Sequence, residues 1–305
     1  MKIRLEFIIL GAVAIILSLY LVFGSRDRIR YKLPQLPKLS QEDIKTITIE
    51  QHNRSITLTR SDGGWKILPE GFKADQDSVN RMLSTLTGLT LTDLVSVQKN
   101  YDRYDLGKDS LISVSVSNGT DTLRRLDIGK TAESSEHTFV KFENDDRVFF
   151  AMGNIHEPFT VDKEKLRDKL VLSFDQAEIQ EMTLERGKET IRIIKATIPQ
   201  NSEGQEQQSA KVVWKSEAGE SWNAEKIDAL LTTLSSLRCD SYIDGVTDLT
   251  RPVLSLSLKG TFEHRLTLFS KRDNDYPGLS SDSESTFLLS AYQVDKILDI
   301  WEARD

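Results

Sequence analysis

The sequence predicts an α+β protein: a single N-terminal transmembrane helix followed by two homologous domains in tandem, each an antiparallel sheet with helices. Three observations predict it. Residues 7–24 contain no charge, short segments alternate apolar and polar residues, and residues 39–173 and 174–305 repeat the same order of patterns. With 38% hydrophobic residues, 29% charged residues and a net charge of -7, the composition excludes a polytopic membrane protein. The 12 Phe, 7 Tyr and 4 Trp argue against disorder.

The first element is the apolar run at residues 7–24, of which only three residues fall outside the apolar set. Its length approaches the roughly 20 residues that cross a bilayer core. It exceeds the about 7–15 apolar residues of a signal peptide, and no small-residue cleavage site follows it. We therefore expect an uncleaved single-pass anchor that contacts the lipid bilayer, with residues 1–6 in the cytoplasm.

Residues 25–38 form a basic linker in which Pro34 and Pro37 favour an extended spacer. The positive cluster from Arg26 to Lys32 lies where it would touch lipid headgroups. Taken literally, this flank places the bulk of the chain in the cytoplasm, but long domains cross membranes regardless of flanking charge. The residues alone leave the side of the membrane open.

Each predicted domain begins with two alternating strands. The second copy matches the first at a constant offset of 135 residues. The matched apolar positions are Ile47, Ile49, Ile56 and Leu58 in the first copy and Met182, Leu184, Ile191 and Ile193 in the second. The turn at residues 62–64 leads to a third strand that contains Trp65, and Trp214 is its counterpart. Core anchoring of both tryptophans is favoured over sugar stacking, whereas an exposed role stays more open for Trp222 and Trp301.

Residues 199–209 interrupt the second copy between its second and third strands. They are polar and low in complexity, so we expect a mobile loop there.

An amphipathic helix follows in each copy. Its apolar stripe is Val79, Met82, Leu83, Leu86 and Leu89 in the first copy and Ile227, Leu230, Leu231, Leu234 and Leu237 in the second. Asp75 or Asp77, and Asn223 in the second copy, are the expected N-caps.

Further alternating strands complete each copy. In the first, Asn118-Gly119 predicts a hairpin into residues 123–128, and residues 139–142 and 147–150 form another across residues 144–146. In the second, residues 254–258, 265–269 and 286–289 are the expected equivalents. A helix is predicted to close each copy, at residues 162–172 and 292–301.

No catalytic, cofactor-binding or metal-ligating residue is predicted, and we expect no enzymatic activity. Cys239 follows a helical pattern and is expected to be a small buried residue, while the four histidines lack metal-ligand spacing. The acidic loop at residues 133–137 has no partner motif for acid–base chemistry. A nucleophile elbow and a phosphate-binding glycine loop are missing, so this chain binds no nucleotide of its own. The acidic balance argues against nucleic acid as a partner.

The chain resembles the proteins grouped as domain of unknown function 4340. The resemblance covers nearly the whole chain. It rests on the N-terminal anchor, the turn and tryptophan at residues 62–67, Ala74-Asp75 with the stripe from Val79 to Leu89, Tyr104-Asp105-Leu106, residues 126–129 and residues 166–175. One departure is Asp105, where the family usually has glycine.

This resemblance implies a bitopic protein of the bacterial cytoplasmic membrane, with its domains on the extracytoplasmic side. It also implies a role beside integral membrane subunits of ABC-2-type, gliding-motility-like transporters. Our leading hypothesis is therefore a non-enzymatic interaction module, the accessory subunit of such a transporter. The alternative is a module that binds envelope polysaccharide or lipid in the cleft between the two repeats.

Overall fold

The computed structural model describes residues 13–19, 31–52, 54–199, 210–217, 219–243, 249–250 and 252–302. The predicted loop at 200–209 lies outside them, as does most of the predicted anchor at 7–24. Residues 13–19 of that anchor are helical and expose apolar side chains, among them Ile15 and Ile16. No helix within the described ranges is long and apolar enough to cross a membrane. The chain divides into two compact units, one ending at Leu166 and one beginning at Arg167.

The first unit is a nine-stranded antiparallel sheet with helices, in agreement with the predicted α+β class. Its strands, in the order β4-β3-β2-β1-β6-β7-β8-β9-β5 across the sheet, are β1 (Thr46–Gln51), β2 (Arg54–Ser61), β3 (Gly64–Leu68), β4 (Phe72–Lys73), β5 (Leu91–Ser96), β6 (Ile112–Ser117), β7 (Thr122–Thr131), β8 (His137–Phe142) and β9 (Asp145–Met152). The helices are α1 (Gln76–Thr87) and the single turn α2 (Lys163–Leu166), with 3-10 turns at Tyr101–Tyr104 and Glu157–Phe159. Both predicted hairpins are confirmed.

The core of this unit forms between one face of the sheet and α1. Alternation along the strands places Ile47 and Leu58 on that face without exposed surface, because successive side chains point to opposite sides. Val79, Met82, Leu83 and Leu86 of α1 pack against them. The N–H of Ser78 donates to Asp75 Oδ1 at 2.9 Å, so Asp75 is the N-cap of the helix.

The linker residues 31–39 form neither helix nor strand and lie against the first unit. Leu33 and Leu39 pack on its core, and the Tyr31 hydroxyl donates to Asp93 Oδ1 at 3.1 Å. Arg124 also donates to the carbonyl of Pro37. This part of the predicted spacer is attached to the folded unit, and its extended conformation stays a prediction.

The second unit contains a nine-stranded sheet and a two-stranded one. Its strands are β10 (Leu170–Ser173), β11 (Glu181–Arg186), β12 (Glu189–Pro199), β13 (Ala210–Ser216), β14 (Ser221–Trp222), β15 (Ser236–Arg238), β16 (Ser241–Tyr242), β17 (Pro252–Lys259), β18 (Glu263–Phe269), β19 (Asp275–Ser280) and β20 (Ser283–Ser290). The helices are α3 (Ala224–Leu234) and α4 (Ala291–Leu298), with 3-10 turns at Gln176–Glu178 and Asp299–Glu302. Asn223 caps α3 by accepting from the N–H of Lys226 at 3.1 Å, as predicted.

The large sheet of the second unit has the order β14-β13-β12-β11-β17-β18-β19-β20-β16. Each strand takes the place that its counterpart holds in the first unit, and the registers agree: Ile47 lies opposite Val116 in the first sheet, and Met182 lies opposite Leu258 in the second. The boundary between the two compact units follows Leu166, whereas the boundary between the two copies was predicted to follow residue 173. The repeat boundaries stay a prediction.

Two local predictions were wrong. The helix expected at residues 162–172 stops at Leu166, and β10 pairs with β15 instead. The side chain of Asp168 accepts the N–H of Leu170 at 3.1 Å, a local bond that turns the chain out of the helix. Cys239 is not helical either: it follows β15, and its N–H donates to the Lys169 carbonyl at 2.8 Å.

Candidate functional site

The second unit carries a hairpin that is longer than its sheet. β12 pairs with β11 only as far as Ile194, while its pairing with β13 continues to Pro199 opposite Ala210. Residues 196–199 and 210–213, here called the ribbon, therefore have no described strand beside them. The corresponding hairpin of the first unit closes at once, because Ser61 lies opposite Gly64.

Apolar side chains are exposed on this hairpin. Ile194 is 39% exposed at its base, and Ile198 and Val212 are 40% and 45% exposed on the ribbon. Since Ile193 points into the core, alternation puts Ile194 and Ile198 on the opposite, outer face. Two strands that show apolar side chains and unpaired edges form a surface that other chains can pack against or extend.

Charged residues surround the base of the outer face. Arg192 contacts Glu181 at 2.8 Å and also pairs with Glu217, while Lys259 contacts Glu181 at 3.1 Å. Hydrogen bonding from Arg192 is the main reason why the pKa of Glu181 lies below its usual value. Ile194 and Ile198 thus form an apolar patch with a polar rim on the outer face, which is typical of protein interfaces. Val212 lies opposite Thr197 and two residues from the buried Trp214, so it is exposed on the other face of the ribbon.

The first unit has a different feature on the outer face of its sheet, a row of four neighbouring rings, tilted by 38–43° from one to the next and here called the aromatic ladder. Ring centroids are 4.9 Å apart between Tyr104 and Phe139, 4.7 Å between Phe139 and Phe150, and 5.2 Å between Phe150 and His137. All four side chains are half-buried, and Met152 at one end is 60% exposed. These distances fit favourable ring stacking.

The second unit does not repeat the ladder. Phe139 lies opposite Phe150 in the first sheet, and the equivalent pair in the second sheet is Pro277 and Leu288. The ladder is therefore specific to the first unit.

The loop that carries Tyr104 is held close to the sheet by a glycine. A side chain at Gly129 would place its Cβ 2.2 Å from the Tyr104 carbonyl oxygen and 3.0 Å from Leu106. Asp105, between them, has φ 54° and ψ 34°, the left-handed conformation that glycine adopts most easily. The resemblance implies glycine at this position, and a glycine would adopt this conformation without a Cβ conflict.

Arg167, Asp168 and Lys169, the centre of another motif, gather around Tyr242. Arg167 is 2% exposed; its guanidinium lies 3.9 Å from the ring centre and donates to Ser285 Oγ at 3.1 Å. The Tyr242 hydroxyl donates to the Asp168 carbonyl at 2.5 Å. Burial raises the pKa of Tyr242 and of the Cys239 thiol. Both groups stay protonated at neutral pH, so this cluster stabilises the fold and offers no thiolate nucleophile.

Most of the other residues considered in the sequence analysis have structural roles or lie outside the candidate surfaces. Trp65 and Trp214 are buried core residues, as predicted. Trp222 is buried too, opposite Trp214 in the β13–β14 register, and the side chain of Trp301 is not described. The loop at 133–137 brings His137 to the ladder. In the described part of the chain, no three His, Cys, Asp or Glu side chains are grouped closely enough to hold a metal ion.

Sequence reasoning missed both surfaces. The alternation of His137 and Phe139 with buried neighbours was a signal for the ladder, but only the strand register brings Phe150 beside them. The ribbon could not be predicted because it flanks the polar insertion. Neither the length nor the composition of that insertion shows that the strands on either side of it remain paired.

A family model described as Domain of unknown function (DUF4340) matches residues 67–252, more than half of the chain. Comparisons with curated proteins and with solved structures gave no significant match.

Proposed function

Because the chain belongs to the family of domain of unknown function 4340, we propose that it is a membrane-anchored, non-enzymatic interaction module. In this proposal it is the extracytoplasmic accessory subunit of an ABC-2-type transporter complex in the bacterial cytoplasmic membrane. The two units are copies of one ancestral domain, and the second copy gained the ribbon.

The ribbon is the observation that carries the proposal. Ile198 and Val212 expose apolar surface on paired strands that extend beyond the sheet. Exposed apolar area of this kind is stabilised when a partner covers it. The buried Cys239 and Tyr242, both held protonated, supply no alternative reactive site.

The anchor supports the same proposal. Residues 13–19 are helical with exposed apolar side chains, and residues 31–39 are attached to the first unit. If the anchor ends at Gly24, the seven steps to Tyr31 span at most about 25 Å. The first unit would then lie close to the bilayer, where an integral membrane partner is within reach.

Co-purification from mild detergent tests the partner. We expect the intact chain to recover permease or ATPase subunits, and Ile198→Asp with Val212→Asp to lose them. Phe262→Asp is the matched control, because Phe262 is a 70% exposed apolar residue of the same unit outside the ribbon. Recovery of the intact chain alone, or equal recovery by the ribbon variant, contradicts the proposal.

Topology needs its own experiment. A phosphatase fused to the C-terminus should be active if the two units are extracytoplasmic. An inactive fusion at normal expression supports the opposite orientation, which the positive flank from Arg26 to Lys32 favours.

A second candidate is a module that binds envelope polysaccharide, and the aromatic ladder favours it. The half-buried rings of the ladder offer stacking surfaces to sugar rings, and the counterparts of Phe139 and Phe150 in the second unit are not aromatic. The cleft between the repeats, predicted from sequence, stays a prediction. Saturation-transfer measurements with envelope glycans should detect binding that Phe150→Ala abolishes and Leu288→Ala in the second unit preserves. Equal binding by both variants contradicts this candidate.

A further inference from the structure

We propose that a pocket in the first unit binds a small anion with an apolar body, an activity separate from the interaction role and independent of it. The pocket encloses about 330 Å³ and is lined by Ile49, Gln51, Arg54, Ser55, Ile56, Phe159, Val161, Asp162 and Lys163. This volume lies at the lower end of the roughly 300–1,000 Å³ typical of ligand pockets.

The floor of the pocket is apolar because it continues the core. Ile49 is 3% exposed and Phe159 is 1% exposed, and Ile56 and Val161 pack against the same core. An apolar floor of this size favours an aliphatic or aromatic body over a sugar or a bare inorganic ion.

The strand register places Arg54 at the pocket. Ile49 lies opposite Ile56, and Gln51 lies opposite Arg54. Since side chains two residues apart share a face, Gln51 and Arg54 continue the inward face of the hairpin beyond the core. A guanidinium at the end of an otherwise apolar face is suited to bind a carboxylate or phosphate in two hydrogen bonds.

Arg54 is available for a ligand. Among the residues that the structure describes, none forms a hydrogen bond or ion pair with its guanidinium. Lys163, the other cation of the lining, already pairs with Glu70 and lies 5.7 Å from the ring centre of Phe72. Asp162 brings one negative charge to the rim, which should weaken anion binding. Removing that charge should therefore strengthen binding, the opposite of the effect expected from removing Arg54.

The second unit contains an internal comparison. Its equivalent hairpin pairs Leu184 with Ile191 and Arg186 with Glu189, so the position of Arg54 is taken by a carboxylate. Arg186 takes the position of Gln51, so this end of the second hairpin carries a cation beside an anion, whereas the first carries Arg54 beside a neutral side chain. The net positive charge therefore distinguishes the first hairpin, although the apolar pair is shared.

The test uses the full chain in nanodiscs of zwitterionic lipid. Hexanoate is the probe, and saturation-transfer NMR measures its binding. We expect hexanoate to bind and hexylammonium and hexanol to bind at least tenfold more weakly. Arg54→Gln should weaken hexanoate binding about tenfold or more, since a hydrogen bond to a charged group is lost. Asp162→Asn should strengthen it about two- to threefold, and Glu189→Gln should leave it unchanged.

Equal binding of hexanoate and hexylammonium overturns the proposal, as does an unchanged affinity in Arg54→Gln or no saturation transfer at all. A second set of discs that contains anionic lipid identifies the source of the ligand. Displacement of hexanoate by these discs assigns the site to a lipid headgroup, and retention assigns it to a soluble anion. Arg54 lies outside the ribbon, so failure here leaves the co-purification result unaffected.

Discussion

The guanidinium of Arg124, in the interior strand β7, donates a hydrogen bond of 2.7 Å to the carbonyl oxygen of Pro37 in the linker. Its other terminal nitrogen donates to the carbonyl of Leu86, in the last turn of α1. Helix C-terminal carbonyls lack intrahelical partners, so one buried side chain satisfies the end of a helix and attaches the linker. Burial lowers the pKa of Arg124, yet the guanidinium stays charged at every physiological pH.

Arg124→Ala should therefore destabilise the first unit by about 2–4 kcal/mol, because the buried carbonyl of Leu86 and the partly buried hydrogen bond to Pro37 lose a charged donor. It should also expose the linker, so that trypsin cleaves after Lys38 faster than in the unaltered chain. Chemical unfolding and limited proteolysis measure the two effects. Arg125→Ala is the control: its side chain is exposed and contacts Glu143 at 3.2 Å, so a loss below about 1 kcal/mol is expected. Equal effects of both variants contradict this role of Arg124.

Asp105→Gly should stabilise the first unit by about 0.5–1 kcal/mol, since glycine adopts the left-handed conformation without a Cβ conflict. The midpoint of urea unfolding measures the change. Asp102→Gly in the adjacent 3-10 turn should destabilise the unit instead, because that residue gains nothing from a left-handed conformation. A lower midpoint for Asp105→Gly would show that its carboxylate matters more than its backbone.

Gly129→Ala should cost more than about 2 kcal/mol, because the new methyl group would overlap the backbone oxygen of Tyr104. Gly63→Ala is the matched control, since no atom lies within 4 Å of its added Cβ. Near-ultraviolet circular dichroism would report displacement of Tyr104 from the aromatic ladder. An unchanged spectrum and midpoint in Gly129→Ala would contradict the close approach of the loop.

The raised pKa of the buried Cys239 thiol predicts a loss of stability at alkaline pH. The folded state favours the protonated thiol, so its contribution is complete below the unfolded pKa, near 8.5, and disappears as the pH rises through the folded value. The free energy of unfolding should fall above about pH 9, and less steeply in Cys239→Ala. Native-state alkylation of this thiol should also be much slower than alkylation in denaturant. Rapid native alkylation at pH 8 would contradict its burial.

Much of the fold followed from alternation because the core consists of strand residues that point one way. The edge strands β5 and β16 escaped prediction: β5 pairs with β9 through two register shifts, which break the period of two, and β16 has only two residues. The segment Leu170-Val171-Leu172 was predicted to be helical, and a purely apolar run has no period that distinguishes a helix from a strand. Its partner β15, more than 60 residues away, makes it a strand.

The candidate surfaces were harder to predict, since both depend on register. Trp222 was considered open to an exposed role because the second copy alone contains it, but its pairing with Trp214 buries it. No pattern in the sequence marks Arg54 either. Only the pairing with Gln51 shows that it faces inward at the end of the core.

The attachment of residues 31–39 has a mechanical consequence. A pull on the N-terminal segment is transmitted through Pro37 to Arg124, and thus to the middle of the sheet instead of a terminal strand. Force along this path must break the bond between Arg124 and Pro37 before the load reaches β1. Under load the linker can therefore detach and lengthen by several residues while the first unit remains folded.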